Sequence, residues 1–451
     1  MPDSSSHELS RRLFLGAAGG ALALSAVASS QRAEAAERPA VKDPRATAGD
    51  VAVEPDWDEK MSVLVGPKKG QIVGTDEKAI QAAVDYVTRY GGGTVKLLEG
   101  TYKLRNSVVL NSGVRLVGSG PETILVKEPM AKSKLVLDSD WFDQEITVAD
   151  AKGFAVGDGI CLRAKNPHTG GQTVIKRTLV AQSGNRFKLD KGLRENAWLM
   201  GDAYAATLFP LVTSELTHGL HIENLVIDGN KANNENLDGN YAGCIFLQDC
   251  RDVTIRRVTA RNNNGDGISW QICHDVRVEE CHSHDHAGLG LHPGSGSQRP
   301  VMRGNVLKNN EIGLFFCWGV KHGLAERNII EDCRVGISVG HRDTDNLIVS
   351  NSVKRSGRVG LLFRAERGKA FAGHRNTVES NIIEDTGGPE GIAVDVEGET
   401  ENLTFIRNEL REKRDPAKRV GFRFGPKTGE MTLQDNKMTG FATEIVDLRK
   451  K

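Results

Sequence analysis

The sequence predicts an all-β solenoid, a right-handed parallel β-helix, with an N-terminal capping helix and a small β-rich insertion. Three observations predict it. First, a glycine followed by an apolar residue recurs at Gly243-Cys244, Gly267-Ile268, Gly290-Leu291, Gly313-Leu314, Gly336-Ile337, Gly360-Leu361, Gly391-Ile392 and Gly421-Phe422. The step is about 23 residues at first and about 30 at the end, the size of one solenoid coil. Second, Asn305, Asn328, Asn351, Asn381, Asn408 and Asn436 follow the same rhythm, each after a short strand-like segment such as Leu347-Ile348-Val349. Asparagine amides stacked at one turn can bond from coil to coil and satisfy turn backbone groups. Third, 50 glycines against 14 prolines, with 5% aromatics, describe a chain of many turns. No single coil can bury its apolar side alone, so stacking builds the core. Leucine-rich repeats, the competing solenoid, would need a leucine spacing that is absent.

Composition narrows the partners. The chain has 451 residues, with 59 basic and 59 acidic side chains and no formal net charge. That excludes a partner held by bulk charge, such as duplex nucleic acid or an anionic membrane. An apolar fraction of 39% and a charged fraction of 26% are those of a soluble globular protein.

The elements follow in order. Residues 1–35 read as an export signal. Ser10-Arg11-Arg12-Leu13-Phe14-Leu15 resembles the twin-arginine motif, an apolar run over 13–28 follows, and Ala33-Glu34-Ala35 offers a cleavage site. The run falls short of the about 20 residues of a membrane span. The mature chain is therefore expected without a span, exported folded to the periplasm or beyond. Residues 36–70 mix proline, glycine and charge without a period and read as a linker. The capping helix and first coils fill 71–130. Over 75–90, Thr75 or Asp76 can cap the helix, and Ile80, Ala83, Val84 and Val87 form one apolar stripe. Residues 131–212 break the coil rhythm with short strands and turns and read as the insertion; 213–451 carry the repeats. The seven cysteines lack the paired spacing of a zinc site and are expected as buried thiols.

The helix, then Gly91-Gly92-Gly93-Thr94-Val95, then Gly100-Thr101-Tyr102 resembles the opening of pectate-lyase-superfamily proteins. The resemblance implies the parallel β-helix. It leaves the reaction open, because that superfamily includes lyases, hydrolases, epimerases and phage tailspikes. The polygalacturonase relatives carry a GDD, GHG and RIK set. Here Gly265-Asp266-Gly267 has one aspartate and Gly340-His341-Arg342 ends in arginine, which speaks against that chemistry.

Alternation along a strand places candidate site residues on one outer face. Aligned on the glycines, one outward column holds Ser269, His292, Phe315, Ser338 and Leu362. A second holds Gln271, Gly294, Cys317, Gly340, Arg364 and Asp395, and a third holds Cys273, Gly296, Gly319, Arg342, Glu366 and Glu397. Coils stack about 4.8 Å apart, so the columns form one groove. The densest cluster is Gly340-His341-Arg342-Asp343-Thr344-Asp345-Asn346, flanked by Trp318 and His292. His292, His341, Arg342, Asp343, Arg364 and Glu366 are the catalytic candidates. Asp266, Gln271, Trp318, Asp395 and Glu397 are the substrate-binding candidates. For single charged residues, the competing reading is a solvated turn with ion pairs between coils. Asp266 can equally cap its turn, and residues 231–240 can wall the groove or serve as a spacer.

No motif implies a cofactor. Calcium held through Asp343, Asp345 and Glu366 is one candidate. His282, His284 and His286 would share one side of an extended segment and form a candidate metal set, against a polar turn before Gly288.

A long polar groove suits a polysaccharide substrate. Elimination from a uronate polymer needs a base, here His292 or His341, and cations such as Arg342 and Arg364 to neutralise the carboxylate. Hydrolysis needs two carboxylates, for which Asp343, Glu366 and Asp395 are candidates. The histidines and arginines favour an anionic glycan and elimination. C5 epimerisation shares the proton abstraction. A non-catalytic glycan-binding solenoid is the reading from another class.

Overall fold

The computed structural model describes residues 57–449. The twin-arginine and cleavage-site expectations lie outside the described residues. Among those described, three long parallel sheets of 13, 11 and 11 strands wrap one core, each coil adding one strand to each sheet. In one coil, Ile268–Gln271, His274–Glu279 and His282–His284 are the three strands. They stack in register on the next coil, with Ile268 beside Leu291, Val278 beside Met302 and Ser283 beside Leu307. Each strand is short because every second residue must face the narrow interior, where Trp270, Phe316, Phe363, Phe405 and Phe422 are fully buried.

The turns are closed by side chains. Asn328 Oδ1 accepts from the Asn305 backbone N–H at 3.0 Å, and Asn351 does the same for Asn328 at 3.0 Å. Asn381, Asn408 and Asn436 continue the ladder. All seven cysteines are free and buried.

The helix is Glu77–Thr88, with Asp76 as its N-cap accepting from the Ala79 N–H at 3.2 Å. Ile80, Ala83, Val84 and Val87 bury completely against the first coils, so the helix covers apolar groups that no further coil would cover. Gly92 lies at φ +101, and a Cβ there would stand 2.1 Å from the Gly113 carbonyl oxygen, so only glycine lets the chain leave the helix here.

Two sequence expectations are corrected. The stretch expected as linker to residue 70 contains the strand Ser62–Gly66, paired in parallel with Gly93–Leu97. Its alternation is short, but Val63 and Val65 do point into the core. The glycine alignment also slips at Gly391. Val359 faces Ile392 and Leu361 faces Val394, so Ala393 stands opposite Gly360. The turn Gly387-Gly388-Pro389-Glu390 lengthens this coil and shifts the series by two. Residues 131–207 form a six-stranded antiparallel sheet with its own apolar core, including Ile146, Ile160, Leu162 and Phe187.

Substituting Asn351→Ala removes the acceptor of two Asn328 N–H groups and the donor to the Ala325 carbonyl. Denaturant unfolding is expected to show a loss of about 3 kcal/mol, because buried backbone groups lose their partners. Asn436→Ala, at the half-buried end of the ladder, is expected to cost under about 1 kcal/mol by the same measurement.

Candidate functional site

The outer face of one 11-stranded sheet carries the candidate residues. Coil by coil, its central column runs Phe246, Ser269, His292, Phe315, Ser338, Leu362, Asp395 and Arg423. Asp395 therefore belongs beside Leu362, not beside Arg364, and Glu397 stands level with Arg364. The third expected column does not exist as a face, because the strands end before it and the chain turns. Cys273 is accordingly 1% exposed and packs in the core.

Asp266 and His292 form a buried carboxylate–imidazole pair. Asp266 Oδ2 lies 2.7 Å from His292 Nδ1, while Oδ1 accepts from the Leu289 N–H at 3.0 Å. The aspartate thus both caps its turn and reaches the histidine. Asp266 behind it places Nδ1 to donate, and in that tautomer Nε2 presents a lone pair. Nε2 is buried without a hydrogen-bond partner, as is Gln271 Oε1 in the adjacent column.

A loop over residues 229–243 covers this pair. The Gly239 carbonyl accepts from Ser269 Oγ at 2.6 Å and from Gln271 Nε2 at 3.5 Å. A Cβ on Gly239 would fall 1.6 Å from Asp266 Oδ2. The inserted module grips the same loop. Lys176 Nζ donates to the Tyr241 carbonyl at 2.5 Å, Arg163 donates to the Asn236 carbonyl, and Lys132 pairs with Glu235 at 2.8 Å. Lys176 sits 4.2 Å over the Phe246 ring, and burial pushes its amine down to about 8. No pattern in the sequence marks Lys176, because its role depends on where the insertion docks.

A chain of contacts leads from His292 to a second cluster. The His292 ring meets Phe315 edge-on at 5.3 Å, and the Arg364 guanidinium lies 4.4 Å over Phe315. Arg364 donates to Ser338 Oγ at 2.8 Å and to the Phe316 carbonyl at 3.0 Å, and lies 3.5 Å from Glu366. Glu366 accepts from the His341 backbone N–H at 2.8 Å and faces its Nδ1 at 3.2 Å. The His341 ring stacks on Trp318 at 4.2 Å and touches Phe371 at 5.2 Å. Arg367 donates toward His341 Nε2 at 3.4 Å, so that nitrogen is engaged. Arg342 is exposed, its guanidinium 4.2 Å over Phe371, with Arg367 at 4.5 Å from the same ring. Sequence reasoning missed Arg367 and Phe371, which sit before and in the short 3-10 helix Lys369–Phe371, with no period to mark them.

Several candidates are committed elsewhere. Asp343 is fully buried in its turn, not in the groove. It accepts from the N–H groups of Gly319, Val320 and Gly340, each at 2.9 Å. Burial pushes its carboxyl up to about 7, against the pull of Arg364. Asp345 is gripped by Arg375 at 2.8 Å. With Glu366 on His341, the expected calcium set is dispersed. Asp395 is held by Arg423 through two contacts at 2.9 and 2.5 Å, and Glu397 shares that arginine at 3.2 Å. Burial and the neighbouring Asp395 raise the Glu397 carboxyl.

The histidine triad does not assemble either. His282 is exposed, His284 pairs with Asp285 at 2.6 Å, and His286 turns inward. His286 Nδ1 accepts from the Asn263 N–H at 3.1 Å, which needs the neutral ring. Among the described residues, no group of three His, Cys, Asp or Glu side chains could hold a metal ion. Nor is any described helix long and apolar enough to cross a membrane.

Comparison with known proteins agrees with this architecture. A family model described as the right handed beta helix region matches residues 212–323. No curated protein matches the chain. Among solved structures, the A-module of mannuronan C-5 epimerase AlgE4 from Azotobacter vinelandii covers 86% of this chain and 100% of its own at 16% identity, with a TM-score of 0.51. The Streptococcus pneumoniae surface protein and adhesin PfbA covers 84% of this chain and 98% of its own at 13% identity, with a TM-score of 0.53. Likenesses at this identity describe the fold: a right-handed parallel β-helix.

Two predictions test this geometry. Gly239→Ala is expected to lift the 229–243 loop, read as faster hydrogen exchange and proteolysis confined to that loop while the unfolding temperature of the coils holds. Burial holds the His286 imidazole down to about 3, from 6.5 when free. The unfolded chain then binds a proton that the folded chain refuses. Stability from this site is present above about pH 6.5 and declines as pH falls toward about 3. His286→Asn should flatten that part of the pH–stability curve.

Proposed function

We propose that the protein is an exported enzyme that cleaves an anionic, uronate-containing polysaccharide by β-elimination, with His292 as the base. The observation that carries this reading is the Asp266–His292 pair: a carboxylate fixes the ring, and the far nitrogen is left without a partner. A buried polar atom kept unpaired costs about 1–3 kcal/mol, and such costs gather at sites that bind or react.

The reaction assigns each group a task. His292 Nε2 takes the proton from C5 of a uronate. The electron pair forms the C4–C5 double bond, the C4–O bond breaks, and the departing oxygen is protonated from the imidazolium or water. Asp266 supports the positive charge on His292. Arg364, joined to His292 through Phe315, is the cation assigned to the carboxylate as it gains charge. Opening of the 229–243 loop admits the chain. C5 epimerisation begins with the same proton abstraction, and mannuronan C-5 epimerase AlgE4 shares the fold. The adhesin PfbA shares it too, so fold supports binding and catalysis alike.

Hydrolysis has less support. It needs two available carboxylates, and Asp343, Glu366 and Asp395 are bound to backbone N–H groups, His341 and Arg423. The test is to follow ultraviolet absorbance from unsaturated products and new reducing ends together on a panel of uronate and neutral polysaccharides, with and without calcium. Both signals are expected to rise on a uronate polymer. His292→Asn should lower turnover on the order of 10²–10⁴-fold with unfolding temperature unchanged, and Asp266→Asn should lower it less. Reducing ends without absorbance would make the protein a hydrolase, and binding without turnover would make it a glycan-binding solenoid.

A further inference from the structure

The second cluster carries charge that the base does not use. The guanidiniums of Arg342 and Arg367 lie 4.2 and 4.5 Å from the centre of one ring, Phe371. Neither is paired with a carboxylate among the described residues, although arginines a few residues away are: Arg364 with Glu366 and Arg375 with Asp345. Three carboxylates of this region are engaged elsewhere. Glu366 is committed to His341 and Arg364, Asp343 to three backbone N–H groups, and Glu401 to Lys369. Two like charges held against one ring repel, and an anion would offset that repulsion.

Beside them, Trp318 keeps one face on His341 and is 55% exposed. An exposed indole next to planar cations, with the Arg367 guanidinium 5.9 Å from its ring centre, matches a sugar ring that carries an acidic group. The ring's apolar face stacks, and the acid takes parallel N–H bonds from a guanidinium. Trp318 and Arg342 sit at φ 65 and His341 at φ 21, conformations that non-glycine residues adopt at a cost.

We infer that Arg342, Arg367, Phe371 and Trp318 form a carboxylate-recognition subsite for a uronate residue further along the same chain that His292 attacks. This rests on the polyuronate reading above and deepens it. Counted from the coil of His292, Trp318 stands one coil on, Arg342 two, and Arg367 with Phe371 three, all in turns after the strands, so the subsite spans roughly 5–15 Å along the stack at the coil spacing. One sugar residue therefore reacts while another is held by its acid group. The sequence offered Arg342 as a catalytic neutraliser; here it is a specificity residue.

Calorimetric binding tests it with defined probes: hexamers of galacturonate and of mannuronate, their methyl esters, and a sulfated hexamer without carboxylates. Wild type and His292→Asn are expected to bind at least one acid hexamer about tenfold or more tighter than its ester, with the preference shrinking as salt is raised. The double variant Arg342→Ala, Arg367→Ala should lose that preference while its unfolding temperature holds. Replacing both by lysine, which keeps the charge without the fork, should restore part of it. Trp318→Ala should weaken acid and ester alike. A preference that survives the double alanine change overturns the subsite, as does equal binding of acid and ester, or tighter binding of the sulfated probe. Failure of the elimination reading looks different: the acid preference intact, with no unsaturated product formed. No binding of any probe to wild type overturns both.

Discussion

Everything functional here depends on the register of coil upon coil. The parallel hydrogen bonds between strands set that register, and the asparagine ladder locks it at one turn. Asn305, Asn328, Asn351, Asn381 and Asn408 each hand a backbone N–H to the next amide oxygen. Because the coils cannot slide, residues far apart in sequence become neighbours at fixed spacing. Asp266 meets His292 across 26 positions, and His341 meets Glu366 across 25. The chemistry proposed needs no local motif, only this stacking.

The same register explains what can be read from the sequence. The glycine period and the asparagine series show the solenoid, because a coil that fails to repeat cannot bury its interior. Asp76 and the stripe from Ile80 to Val87 show the cap. The first outward column is legible as far as Leu362. Legibility ends where turns change length. Gly391 looks like the next repeat glycine, yet four turn residues before it move the true partner to Ala393. Asp343 sits in the richest polar run of the chain but closes a turn from inside. Alternation cannot apply there, because the segment is not a strand. Arg367, Phe371, Gly239 and Lys176 lie on loops or on the insertion. Their place follows from docking, which leaves no pattern in one dimension.

Charge separates the parts of the face by role. Most outer arginines are spent on carboxylates of adjacent coils, as Arg423 is on Asp395 and Arg375 on Asp345. Such pairs help fix one coil on the next and add modestly to stability. Two features used above depart from that pattern: a histidine with a bare nitrogen beneath a strapped loop, and two guanidiniums on one phenyl ring. Both lie on the contact path from Asp266 to Phe371. A polymer laid along the stack would meet them in turn, the base at one coil and the cations two and three coils on. The insertion, through Lys176, Arg163 and Lys132, holds the loop that covers the first.

The central claim is that Asp266 fixes His292 with Nε2 free to take a proton. Nitrogen NMR of the His292 imidazole tests it most directly, in the free protein and with an oligouronate bound. The account predicts a protonated Nδ1, an unprotonated Nε2, and an Nε2 signal that moves when the oligosaccharide binds. A protonated Nε2 that ignores the oligosaccharide would contradict it.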